Sequence, residues 1–116
     1  MFKVLIRGVE YTVKRATSKQ LKAGCYGDCT HPAAISPTIQ LIHGLRGKRL
    51  LNYTIHEAQH ACLWDLDEEA VNDSAEAIAE ILWKDGWRRI KPDIMDYEND
   101  RRINTNGKLN GKEKNQ

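Results

Sequence analysis

The stretch Leu51–Val71 reads LNYTIHEAQHACLWDLDEEAV, and its phasing decides the fold around it. Leu51, Ile55, Ala58 and Cys62 step by four, three and four, which puts an apolar stripe on one helix from about Lys48 to Trp64. Asp65-Leu66-Asp67 interrupts the period, and Asp67 is the residue type that caps a new helix. Glu68 and Glu69 then fall in its first turn, where the helix dipole favours negative charge. Val71, Ala75, Ile78 and Leu82 repeat the same steps, and Gly86 is placed to end the run. Two helices joined by a short polar link are expected. Trp83 and Trp87 are expected to pack the last turn of the second one onto a sheet.

Upstream, the pattern changes to that of strands. Phe2, Val4 and Ile6 share one face, Arg7-Gly8 interrupts, and Val9, Tyr11 and Val13 resume the alternation, as in a hairpin turning near Gly8. Residues 16–37 are rich in Gly, Ser, Thr and Pro and read as a loop. Thr38–Ile42 (TIQLI) reads as one further strand, closed by Gly44 and Gly47. The expected class is α+β: a small, mainly antiparallel sheet, made of the N-terminal hairpin and one more strand, packed on two helices. After Ile90 apolar residues become scarce, so residues 1–90 are expected to form the domain and 91–116 a polar, disordered tail.

The composition sets outer bounds. The chain has 116 residues, 18 Lys+Arg and 16 Asp+Glu, which fits one domain. No apolar run approaches the ~20 residues that cross a bilayer. MFKVLIRGVEYTVKR puts Arg7, Gly8 and Glu10 where the apolar part of a signal peptide would have to lie. Three cysteines do not make a disulfide framework. The expected location is the cytoplasm. The net charge of +2 conceals a partition: residues 1–50 carry nine basic and two acidic side chains, and residues 51–90 carry three basic and nine acidic ones. An acidic half of this kind suits a bound cation.

The first helix contains His56-Glu57-Ala58-Gln59-His60, the pattern H-E-x-x-H. Histidines four residues apart project from one helical face, so both imidazoles reach a single metal ion. The glutamate between them sits on a flank, close enough to touch a metal-bound water without ligating the metal. Zinc lowers the pKa of such a water to about 7, and the glutamate can take its proton.

An open zinc site needs a third protein ligand. Asp65, Asp67, Glu68 and Glu69 are the candidates, with Asp67 used as the cap. Glu68 lies three residues before Val71, on the inward stripe, where a carboxylate is anomalous without a partner. Glu69 points away from that stripe, yet Glu69 and Asp73 have the spacing of a ligand followed one turn later by a supporting carboxylate. Glu68 is the favoured ligand and Glu69 the alternative.

HEAQH followed closely by an acidic helix resembles the zincin metallopeptidases. The wider pattern YGDC…PTIQL…HEAQHACLWDLDEEAV…AIAEILWKDGWR, over roughly residues 1–90, resembles small metallopeptidases encoded by tailed phages and prophages. HEAQHACLW is also similar to the motif helix of the SprT-like, DNA-associated proteases, with a different spacing to a third ligand. The zincin resemblance implies a minimal zincin core holding one Zn²⁺, with His56 and His60 as ligands and Glu57 as general base. It implies a third ligand on the following helix, here Glu68 or Glu69, and a protein or peptide substrate met in the host cytoplasm. The chain departs from larger zincins in its very short inter-helix link and in having no recognisable substrate-binding subdomain. A zinc-stabilised structural or interaction module without turnover is the alternative.

Other residues complete this reading. Tyr53, three residues before His56, is the most concrete oxyanion donor, with Tyr26, His31 and His43 as others. Thr38–Ile42, if it forms the sheet edge, would pair with an extended substrate. Cys25, Cys29 and His31 form C-x3-C-x-H, three soft ligands for a second metal but with no evident fourth; free thiols in a loop are the plainer reading. Cys62 falls on the apolar stripe. The basic residues of the first half, from Lys14 to Arg49, are not interleaved with aromatics, so nucleic acid is only a secondary candidate partner.

Overall fold

The computed structural model describes residues 1–90; the expected tail, 91–116, lies outside the described residues. Six elements follow in order: β1 (Phe2–Ile6), β2 (Val9–Ala16), β3 (Gly27–Cys29), β4 (Thr38–Ile42), α1 (Gly47–Cys62) and α2 (Glu68–Lys84). The class is α+β, as the periodicities indicate.

Arg7 and Gly8, both at positive φ (50° and 83°), make the two-residue turn between β1 and β2. A turn of that hand matches the twist of the paired strands. Arg7 also reaches across the molecule, its guanidinium donating to the carbonyl of Cys62 at 2.9 Å. A cation there meets the negative end of the α1 dipole. The hairpin is thereby tied to the end of α1.

The sheet order is β1-β2-β4-β3. β1 and β2 are antiparallel, β2 and β4 parallel, and β4 and β3 antiparallel. Two expectations are corrected here. The segment 16–37 is not all loop, because Gly27–Cys29 pairs with Leu41, Gln40 and Ile39. Three residues bounded by turn formers carry no visible alternation, so periodicity could not reveal this strand. Consequently Thr38–Ile42 is not an edge strand. It lies between β2 and β3, and β3 forms the edge.

Alternation along the strands sends Tyr11, Val13, Ile39 and Leu41 into the core, all within 6% exposure. Tyr11, Val13 and Ile39 meet Ala61 of α1, with Ile6, Val9 and Cys29 packed around them. α1 lies against β3 and β4 on one side and against α2 on the other.

Asp67 caps α2 as expected, its Oδ1 accepting from the Ala70 amide at 2.8 Å. Gly86, at φ 97°, ends the helix, and the amides of Gly86 and Trp87 bond back to Trp83 and Leu82. The buried stripe of α2 is Val71, Ala75 and Ala79; Ile78 is 38% exposed. Small alanines let α2 approach α1 closely, and Ile78 falls outside that contact. Trp83 and Trp87 do not play the expected part. Trp83 packs at the first turn of α1, within 3.5 Å of where a β-carbon on Gly47 would lie, and Trp87 is exposed.

Candidate metal centre

Two histidines and one glutamate converge where α1 faces the first turn of α2. The Nε2 atoms of His56 and His60 are 3.2 Å apart. Glu68 places Oε2 3.0 Å from His56 Nε2 and Oε1 3.1 Å from His60 Nε2. Among the described residues this is the group of three whose ligand atoms come together, all within 4.8 Å. Donors about 2.0–2.1 Å from one tetrahedral zinc ion sit about 3.4 Å from one another, and the donor set of two imidazoles and a carboxylate is one that zinc takes in open sites. The residues present fit the ion.

Local chemistry explains why Glu68 occupies this place. Asp67 fixes the start of α2, and Glu68 follows on the phase of Val71 and Ala75, the face turned to α1. The Glu68 side chain is 64% exposed, so it reaches the histidines from the rim and not from the core as its place on the inward stripe led one to expect. Glu69, the alternative, is exposed too, and among the described residues it belongs to no such group. Its spaced partner Asp73 lines a separate groove with Lys48, Asn52 and Glu80.

One side-chain contact ties the two helices together beside the site. Gln59, the second variable residue of H-E-x-x-H, donates through Nε2 to Ser74 Oγ at 2.9 Å. Ser74 in turn donates to the carbonyl of Ala70 at 2.7 Å. This clamp lies nearly two turns along α2 from Glu68 and joins the two ligand-bearing helices. Nothing in the sequence pattern marked Gln59 or Ser74, since a polar pair across a helix interface has no periodicity of its own.

Glu57 is the one buried charged residue among those described, at 5% exposure. Burial, reinforced by the carboxylates of Asp28 and Glu68, pushes its carboxyl up to about 7. Burial likewise lowers the pKa of His56, against the opposing pull of Glu68. The sequence placed Glu57 on the flank of α1. What it did not reveal is the lid of backbone over it: Gly27 of β3 lies so close that a β-carbon there would be 3.2 Å from Glu57 Cγ and Oε2, and 2.9 Å from the Gln40 carbonyl.

These residues line a cleft of about 650 Å³ between the β3 segment and the helix pair. Tyr53 and Tyr26 lie on its wall, their ring centroids 5.2 Å apart. Trp64 closes the other end, edge-on to His31 at 5.0 Å and to His60 at 6.2 Å. His31 therefore stands beside the cleft, with Nδ1 accepting from the Ala33 amide at 2.9 Å. Cys25, Cys29 and His31 do not converge as a metal group. Cys25 is exposed, and Cys29 is turned to the core, its thiol donating to the Thr30 carbonyl and pushed up to about 12, chiefly by burial.

Compared with family models, with curated proteins and with solved structures, the chain matches none.

Proposed function

We propose that the chain is a zinc-dependent peptidase, with His56, His60 and Glu68 holding one Zn²⁺ and Glu57 acting as general base. The observation that supports this reading is the convergence of two imidazole nitrogens and a carboxylate next to a buried fourth group, the Glu57 carboxyl. Zinc held there supplies Lewis-acid activation of water and of the scissile carbonyl. Glu57 takes the proton of the attacking water and delivers it to the leaving amine, and a carboxyl poised near neutrality suits both transfers. The outer edge of β3 borders the cleft, so an extended peptide adds there as a further strand. Tyr53, on the cleft wall, is the side-chain donor candidate for the developing oxyanion.

A second reading, a zinc-stabilised module without turnover, has one observation in its favour. The three donors join α1 to α2 in a domain whose largest fully buried side chains are Tyr11 and Val71, so a bound ion adds needed cohesion. The two readings separate on Glu57→Gln. The peptidase loses cleavage of a denatured protein substrate while keeping one zinc per chain and its fold; the module is unchanged in every assay. Lack of stoichiometric zinc, or zinc binding that survives His56→Ala, overturns both.

A further inference from the structure

The helix layer does not cover the whole sheet. α1 packs on β3 and β4, and α2 packs on α1. Phe2 and Val4 of β1 pair in register with Val13 and Tyr11, so they share the face that carries the core. Yet they remain 52% and 39% exposed. Between this uncovered corner and the first two turns of α1 runs a groove of about 300 Å³. Its apolar lining is Phe2, Val13, Leu41, Leu50 and Leu51. Arg15 and Arg89 are the charged residues on it, and among the described residues no acidic side chain lines it. A guanidinium beside apolar surface suits a ligand that carries both carboxylate and hydrocarbon.

Arg89 brings the chain itself to this groove. The residues that follow Ile90 read KPDIMDYEND (91–100). Ile94, Met95 and Tyr97 are three of the five large apolar side chains of 91–116. Residues 93–100 hold four of the five acidic ones and no basic residue. The charge of this segment is opposite to that of the groove, and its apolar residues match the lining. Four residues span at most about 14 Å, so Ile94 lies within reach of a groove that Arg89 already borders. We propose that residues 93–98 (DIMDYE) of this chain occupy the groove, with Ile94 and Tyr97 on the apolar lining and the flanking carboxylates paired with Arg15 and Arg89. The segment thereby completes the core over β1, a role independent of the metal centre and of the peptidase reading. A short link holds it at an effective concentration on the order of millimolar, so weak contacts suffice and the chain's own segment outcompetes a dilute partner.

Hydrogen–deuterium exchange on the full-length chain tests this. Amides of residues 93–98 are expected to exchange at least about tenfold more slowly than those of 104–116, and equally so over a wide range of protein concentration. Phe2→Ser and Arg89→Glu, both at exposed positions, remove that protection while the β2 amides keep theirs. Ile94→Ser combined with Tyr97→Ser lowers Tm by roughly 4–8 °C, whereas Ile103→Ser leaves it unchanged. Exchange at 93–98 as fast as at 104–116, protection that survives both groove variants, or equal melting of the two tail variants overturns the inference. Protection that is lost on dilution also overturns it, and assigns the groove to the segment of a second copy.

Discussion

A β-carbon on Gly27 would stand 3.2 Å from Glu57 Oε2, so the edge strand and the buried carboxyl occupy nearly the same space. The other near atom, the Gln40 carbonyl at 2.9 Å, belongs to the backbone of β4 and cannot swing aside. Gly27→Ala therefore forces either β3 off β4 or Glu57 from its position. If the chain is the peptidase proposed above, the expected result is a drop in kcat of about 10- to 100-fold with one zinc per chain retained, since a displacement of about 1 Å has that order of effect. Zinc analysis and steady-state kinetics on one preparation check it.

Zinc and stability are linked by mass action. An ion that binds only the folded chain adds about 2.7 kcal/mol at 100 times its Kd. For a domain of this size about 1 kcal/mol moves Tm by 4–8 °C, so excess zinc is expected to raise Tm by roughly 10–20 °C. His60→Ala removes most of that rise, and Glu69→Ala leaves it intact. Thermal melts with and without a chelator measure both.

The Gln59–Ser74 clamp is expected to act on the metal through the helices. Ser74→Ala costs about 1 kcal/mol of stability by leaving the Gln59 amide without its acceptor, and it lowers zinc affinity several-fold. Gln59 already holds Oε1 buried without a partner, which makes the pair sensitive to this loss. Competition with a chelating dye reads the affinity.

How much of this was legible follows from the kind of signal each part gives. The hairpin turn, the Asp67 cap, the Gly86 stop and the His56–His60 pair are local patterns of one to five residues, and each stands where the pattern put it. Glu68 could be favoured because cap position fixes helical phase. β3 had no such signal, and without it nothing showed that Thr38–Ile42 is covered on both sides. The α2 stripe was misread at Ile78 because helix packing selected the smaller Ala79. Gly27, Gln59 and Ser74 act only through partners distant in sequence.

Glu80 gives a pH signature. Hydrogen bonds and charge from Lys48 and Lys84 lower its carboxyl from 4.5 to about 2. A depressed carboxyl contributes stability that is present above the unfolded pKa and is lost as pH falls through the folded one. Glu80→Gln is thus expected to be less stable than the wild type near pH 7, and the gap closes between about pH 4.5 and pH 2. Urea melts of both proteins across that window measure it; a gap that persists at pH 2 refutes the assignment.

Thiol chemistry separates the two loop cysteines. With Cys29 held as a neutral thiol and Cys25 exposed on the cleft, iodoacetamide is expected to modify Cys25 while Cys29 stays protected in the folded chain. Cys25→Ser and Cys29→Ser are expected to leave the zinc content at one ion per chain. Mass spectrometry after timed labelling, with metal analysis, reads both outcomes.

The three candidate metal donors lie within the thirteen residues His56–Glu68, separated only by the end of one helix and the start of the next. Closing so short a segment costs little chain entropy, whereas the parallel pairing of β2 with β4 must first close a much longer one. On the zinc reading proposed above, the helical hairpin can therefore capture an ion while the sheet is still unpaired. An ion bound at that stage would accelerate folding as well as slow unfolding, and would act as a nucleus around which the strands assemble.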